Sequence, residues 1–174
     1  RRFLEAELDR GVREGEFELW YQPQVRLSDS SITGLEALIR WRHPTRGVLT
    51  PGEFLGVLNT GNLSAKVSAW VLRTACQQGR RWQAAGNSVR VGVNLSPAQL
   101  HSQLPQDIER VLAETGFAPH LLEVEVTENI LLNEDDPTTI DLLHRIRALG
   151  VSIAFDDFGT GYASLSYLTR FPLD

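Results

Sequence analysis

Val89-Arg90-Val91-Gly92-Val93-Asn94-Leu95, followed by Ser96-Pro97-Ala98-Gln99, begins the stretch that decides the fold. Residues 89–95 read as a short strand. The Ser-Pro-x-Gln word caps a helix, with Leu104, Ile108 and Val111 spaced along one helical face. The pattern then repeats. Leu121 to Thr127 reads as a strand, Asp136-Pro137 caps a helix through Ile140, Leu143 and Ile146, Gly150 ends that helix, and Val151 to Asp156 reads as the next strand. Strand, helix, strand, helix, strand at these lengths predicts parallel strands joined by right-handed crossovers. The class is α/β, as an open sheet or a barrel.

Upstream, Thr50-Pro51-Gly52-Glu53 supplies an N-cap, a proline at the first helical position and a capping-box glutamate. A longer helix follows, with Val67, Trp70, Val71, Thr74, Gln78 and Trp82 aligned. Before it, Phe17 to Val25 and Ile32 to Trp41 read as strands separated by the turn Ser28-Asp29-Ser30-Ser31, a hairpin. The chain opens in a helical pattern, Phe3, Leu4, Leu8 and Val12. Arg1 and Arg2 oppose the dipole at that helix's N-terminus, and no methionine starts the chain, so the natural polypeptide is expected to continue upstream. Without repeats or linkers, residues 1–174 read as one domain excised from a longer protein.

With 174 residues, 42% of them apolar, the chain can bury one sizeable core. A net charge of −5 argues against non-specific nucleic-acid binding, which depends on Lys and Arg neutralising phosphates, and no DNA partner is expected. A small anionic ligand is still compatible, through locally concentrated positive charge or metal ions. The single cysteine, Cys76, allows no internal disulfide and sits in an apolar-periodic stretch as core packing. No apolar run approaches a membrane span and no signal-peptide pattern opens the chain, so a cytoplasmic domain without membrane contact is expected, whatever anchors its parent.

The informative polar residues lie at the carboxyl ends of the strands, where parallel α/β folds form ligand sites. Asn94 ends one strand, Glu125 and Glu128 the next, and Asp156 and Asp157 the one after. Any one of them could be a helix cap or a solvated loop charge; together they deliver oxygen atoms to one rim. If Val124 and Val126 face the helices, Glu125 points into the mouth, where a carboxylate is costly without a counter-charge. Hard oxygen ligands select magnesium, manganese or calcium, and the scattered His43, His101, His120 and His144 read as surface or structural. Adjacent Asp156 and Asp157 suit two metal ions that clamp the attacking and leaving oxygens of a phosphodiester. Glu36, Leu38 and Arg40 share a strand face, with Glu36 and Arg40 about 13 Å apart. They read equally as a metal-and-phosphate pair or as a salt bridge at a sheet edge.

Gly34-Leu35-Glu36-Ala37-Leu38-Ile39-Arg40-Trp41 resembles the signature of the EAL family of cyclic-di-GMP phosphodiesterases. Arg42-His43-Pro44, Thr50-Pro51-Gly52-Glu53-Phe54, Val93-Asn94-Leu95-Ser96, Glu123-Val124-Glu125-Val126-Thr127-Glu128 and Asp156-Asp157-Phe158-Gly159-Thr160-Gly161-Tyr162 resemble the family's later motifs in order, and Tyr21-Gln22-Pro23 its opening strand. The resemblance covers essentially the whole chain. It implies a TIM-like (β/α)8 barrel with an antiparallel first strand, and hydrolysis of cyclic di-GMP to linear pGpG by two Mg2+ or Mn2+ ions, with Ca2+ binding but not supporting turnover.

On this resemblance Glu36, Asn94, Glu125, Asp156 and Asp157 match metal ligands, and Glu128 a glutamate that holds the loop after the aspartate pair. Arg40 matches a phosphate contact, and Gln22 and Leu38 positions at the substrate. The region 158–168 is linked to a homodimer contact, and an upstream sensor or GGDEF domain is a common neighbour. The family pattern continues past Phe171-Pro172-Leu173-Asp174 with a Lys-Ile-Asp strand and later ligands, so the 174 residues are expected to be a truncated domain, inactive alone. Two other functions compete: a catalytically inactive cyclic-di-GMP receptor acting through a protein partner, and a scaffold. Filled ligand positions favour catalysis, because degenerate members usually lose one or more. Leu58-Asn59-Thr60-Gly61-Asn62-Leu63 departs from the family's more acidic Glu-Glu-Thr-Gly-Leu pattern, away from the matched ligands.

Overall fold

A computed structural model describes residues 2–59, 62–127 and 137–156. The N-terminal helix α1 spans Arg2–Glu14, and the strands β1 (Phe17–Val25) and β2 (Ile32–His43) pair antiparallel as the predicted hairpin. Its turn closes on Asp29, whose carboxylate accepts from the Ser31 N–H and hydroxyl and from Arg26. A short strand β3 (Gly47–Leu49), not anticipated from the sequence, folds back antiparallel on the end of β2.

Two helices follow, α2 (Pro51–Leu58) and the long α3 (Ser64–Ala84). The Thr50 capping box forms as read: the Thr50 N–H donates to Glu53 Oε2 at 2.7 Å. Then come β4 (Arg90–Asn94), α4 (Leu104–Thr115), β5 (Leu122–Thr127), α5 (Pro137–Ala148) and β6 (Ser152–Asp156). The largest departure from the expected boundaries is the start of α4. The Ser96 capping box opens a single 3-10 turn, Pro97–Gln99, and α4 starts only at Leu104.

The sheet runs β1-β2-β4-β5-β6, with β3 on the far end of β2; β2, β4, β5 and β6 are parallel. Among the described residues it is an open mixed sheet with β1 and β6 at its edges. One face is apolar and covered by helices. Ala37, Val91, Val93, Val124, Val126 and Ile153 pack there against Leu72, Ala75, Cys76, Ile108, Leu112, Leu143 and Ile146. Gly79 lets α3 settle directly on the Phe117 ring, because a Cβ there would lie 2.6 Å from it.

A second core joins α1 to the hairpin through Leu8, Ile39, Trp41, Phe54 and Val67. Trp41, fully buried, donates its indole N–H to Glu16 Oε2 at 2.8 Å, and Arg10 bonds the same carboxylate. His43 is buried at the end of β2. Its Nδ1 faces the backbone N–H groups of Thr45 and Arg46, so Nε2 carries the proton and donates to Glu7 Oε1 of α1 at 3.0 Å. Cys76 is fully buried, as expected of a packing residue.

Candidate functional site

The other face of the sheet is polar, and the strand register assembles it. Side chains alternate along strands, so residues paired across the ladder share a face. Gln22 pairs with Glu36, Glu36 with Gly92, Asn94 with Glu125, and Thr127 with Asp156. Gln22, Glu36, Asn94 and Glu125 therefore fall on one face across four adjacent strands, and the backbone of Asp156 pairs with Thr127 on the next. Val124 and Val126 are wholly buried in the helix-facing core, which puts Glu125 on this face as the alternation required.

Two contacts fix the oxygen atoms. Asn94 Nδ2 donates to Glu36 Oε1 at 2.9 Å, orienting the carboxylate and leaving Asn94 Oδ1 as an acceptor that this bond does not use. Glu125, only 4% exposed, lays its carboxylate across Gly92: a Cβ on Gly92 would collide with Glu125 Oε1. The signal for Gly92 was in the sequence, since a glycine inside a Val-rich strand marks a close approach. Glu123, given no role from sequence, forms a 3.0 Å ion pair with Arg90 deeper on the same face.

Towards the mouth, β1 and β2 carry the expected substrate residues. Gln22 is exposed, and Leu38 is half-buried opposite Trp20. The Arg40 guanidinium lies 5.4 Å from the centre of the Trp20 ring, within cation–π range. It forms no salt bridge at the sheet edge with Glu36 among the described contacts. Trp20 in turn donates its indole N–H to Glu18 Oε1 at 2.6 Å, while Arg42 Nε donates to Glu18 Oε2 at 2.5 Å. The Arg42 bond, and next that of Trp20, hold the Glu18 carboxyl below its usual pKa. Sequence reasoning missed Trp20.

Of the five predicted metal ligands, Glu36, Asn94 and Glu125 are brought together. Asp156 is placed by its backbone at the end of β6, and Asp157 and Glu128 lie outside the described residues, as does the segment 158–168. Among the described residues no three His, Cys, Asp or Glu side chains form a metal-binding group. The donors that are described are all hard oxygens on one rim, with room cleared by Gly92, and they fit a hard divalent cation such as Mg2+ or Mn2+. No described helix is long and apolar enough to cross a membrane.

An EAL domain model matches residues 5–174. The chain is 45% identical over 175 residues to an uncharacterized signaling protein of Caulobacter vibrioides, covering 100% of this chain and 21% of that relative. It is 44% identical over 173 residues to the cyclic di-GMP phosphodiesterase NbdA of Pseudomonas aeruginosa, covering 98% of this chain and 22% of that one. Among solved structures, the PaMucR phosphodiesterase in complex with c-di-GMP superposes with a TM-score of 0.93 at 37% identity, covering 98% of this chain and 70% of the other. The chain thus spans little more than a fifth of the length of these two curated relatives.

Proposed function

The chain belongs to the EAL domain family, and we propose that it is part of a phosphodiesterase that hydrolyses cyclic di-GMP to linear pGpG in second-messenger signalling. The observation that carries this is the rim of Glu36, Asn94 and Glu125, held by the Asn94–Glu36 bond and the Gly92 cradle. With Asp156 and Asp157, these residues would hold two Mg2+ or Mn2+ ions. Such ions, when bound, neutralise phosphate charge and make a water more acidic.

The chain's own residues do the remaining work. Arg40 takes a phosphate oxygen, Gln22 and Leu38 bound the ligand along β1 and β2, and Asn94 keeps the Glu36 carboxylate pointed at the rim. Water adds to phosphorus at one phosphodiester; the ribose 3′-oxygen leaves with a proton, and the phosphate stays on the 5′-carbon, giving pGpG. Glu128 would steady the segment after the aspartate pair, and residues 158–168 would contribute to a homodimer contact. The mixed sheet would be part of a TIM-like barrel closed by strands later in the polypeptide, and the parent would carry further domains.

The test is to incubate the chain at its full natural length with cyclic di-GMP and Mg2+ and to follow pGpG by chromatography, beside an Asp156→Ala variant. Turnover by the parent and none by the variant is expected. Tight binding without turnover moves the protein to the cyclic-di-GMP receptor class, and neither binding nor turnover removes the ligand assignment.

A further inference from the structure

Five large apolar side chains are strongly exposed among the described residues: Trp20, Val25, Leu27, Ile32 and Val48. Four are aliphatic and offer no π face. Trp20 alone is aromatic, and it alone stands beside Arg40 at the level of Leu38 on the polar face of the sheet. Surface tryptophans are often merely tolerated, with rings free to change rotamer. This ring is tied down. Its N–H is bonded to Glu18, Glu18 is held by Arg42, and the guanidinium of Arg40 lies 5.4 Å from the ring centre. Yet 47% of the residue is open to solvent.

A rigid, half-open indole next to a guanidinium is complementary to a nucleotide, whose flat base and anionic phosphate are also adjacent. Bases stack on aromatic faces without regard to sequence, and a ring already fixed in place loses little freedom on binding. We propose that Trp20 is a stacking platform for one guanine base of the dinucleotide, next to the phosphate taken by Arg40. The inference rests on the cyclic-di-GMP reading above. It adds a binding residue at a position outside the Gln22, Leu38 and Arg40 set. Glu18 and Arg42 are its positioning residues, acting only through the indole.

The test uses the chain at its full natural length, titrated with cyclic di-GMP in Ca2+ by calorimetry and by tryptophan emission. Trp20→Ala should weaken binding about tenfold, the order of one base–aromatic stack, whereas Trp20→Phe keeps a π face and should stay within about twofold. Ligand should quench emission in the wild type, and the quench should shrink in Trp20→Phe although affinity is retained. A purely structural role for Trp20 would not produce that split. Unchanged affinity in Trp20→Ala, or no quench of the wild type at saturating ligand, overturns the platform and leaves the phosphodiesterase reading standing. Failure of the wild type to bind cyclic di-GMP overturns both.

Discussion

Gly92→Ala separates stability from function at this site. A Cβ on Gly92 meets Glu125 Oε1 in outright collision, with Cδ at 3.2 Å and Cγ at 3.8 Å. The obstacle is the far end of a flexible side chain and not backbone, so the carboxylate swings aside and β4 keeps its place. Against the cost of re-seating a buried carboxylate stands the gain of replacing a strand glycine, about 0.5–1 kcal/mol of unfolded-chain entropy. The two nearly cancel, and the melting temperature should move by less than about 4 °C. Metal binding has no such offset. A ligand carboxylate turned from the rim by an outer residue costs about 10–100-fold in affinity.

Calorimetric titration with Mn2+, beside the Mg2+ dependence of turnover, should show that loss in a variant that melts normally. High Mg2+ should recover part of the activity. Wild-type Mn2+ affinity in Gly92→Ala would refute the reasoning, since it would mean that the position of the Glu125 carboxylate is irrelevant to the ion.

The same substitution at Gly79 should do the opposite. The added methyl meets the rigid, buried Phe117 ring at 2.6 Å, an overpacking cost of about 1–3 kcal/mol that outweighs the helix-propensity gain of about 1 kcal/mol, and a lower urea midpoint checks it. Cys76, its thiol pushed up to about 12 by burial, should resist a thiol-specific disulfide reagent at pH 8 until the chain is unfolded. Glu16 is held below its ordinary value of 4.5 chiefly by its hydrogen bond from Arg10, and then by that from Trp41. A depressed carboxylate contributes stability that is present above the unfolded value and lost as pH falls through the folded one. Glu16→Gln should therefore flatten the acid limb of a stability–pH profile below about pH 4.5.

The hairpin, the parallel run and the rim residues were legible because each has a local cause. Alternation in Val124-Glu125-Val126 sets the face of Glu125, and the Thr50 capping box sets the start of α2. Where the sequence misled, a tertiary partner decided. Three residues, Gly47–Leu49, have no period of their own and become a strand only because β2 extends to His43 and pairs with them. Ser96 and Gln99 make the same reciprocal bonds in a 3-10 turn as in an α-helix, so the capping word could not reveal that α4 waits until Leu104. Trp20 escaped notice because an aromatic in a strand reads as core; its exposure follows from β1 lying at the sheet edge and from which face pairs with Leu38. Asp157 and Glu128 were read at strand ends from the sequence, with their specific roles taken from the family resemblance, and they lie outside the described residues.

The bond between His43 and Glu7 ties α1 to the end of β2. A paired strand resists stretching along its axis, and β2 carries His43, Arg40, Leu38 and Glu36 in line. Arg40 lies about 10 Å and Glu36 about 23 Å from the anchor at the rise of an extended chain. A pull or twist on the N-terminal helix would be delivered along the strand that presents the Arg40 guanidinium and the Glu36 carboxylate. The imidazole would be the coupling pin of that linkage.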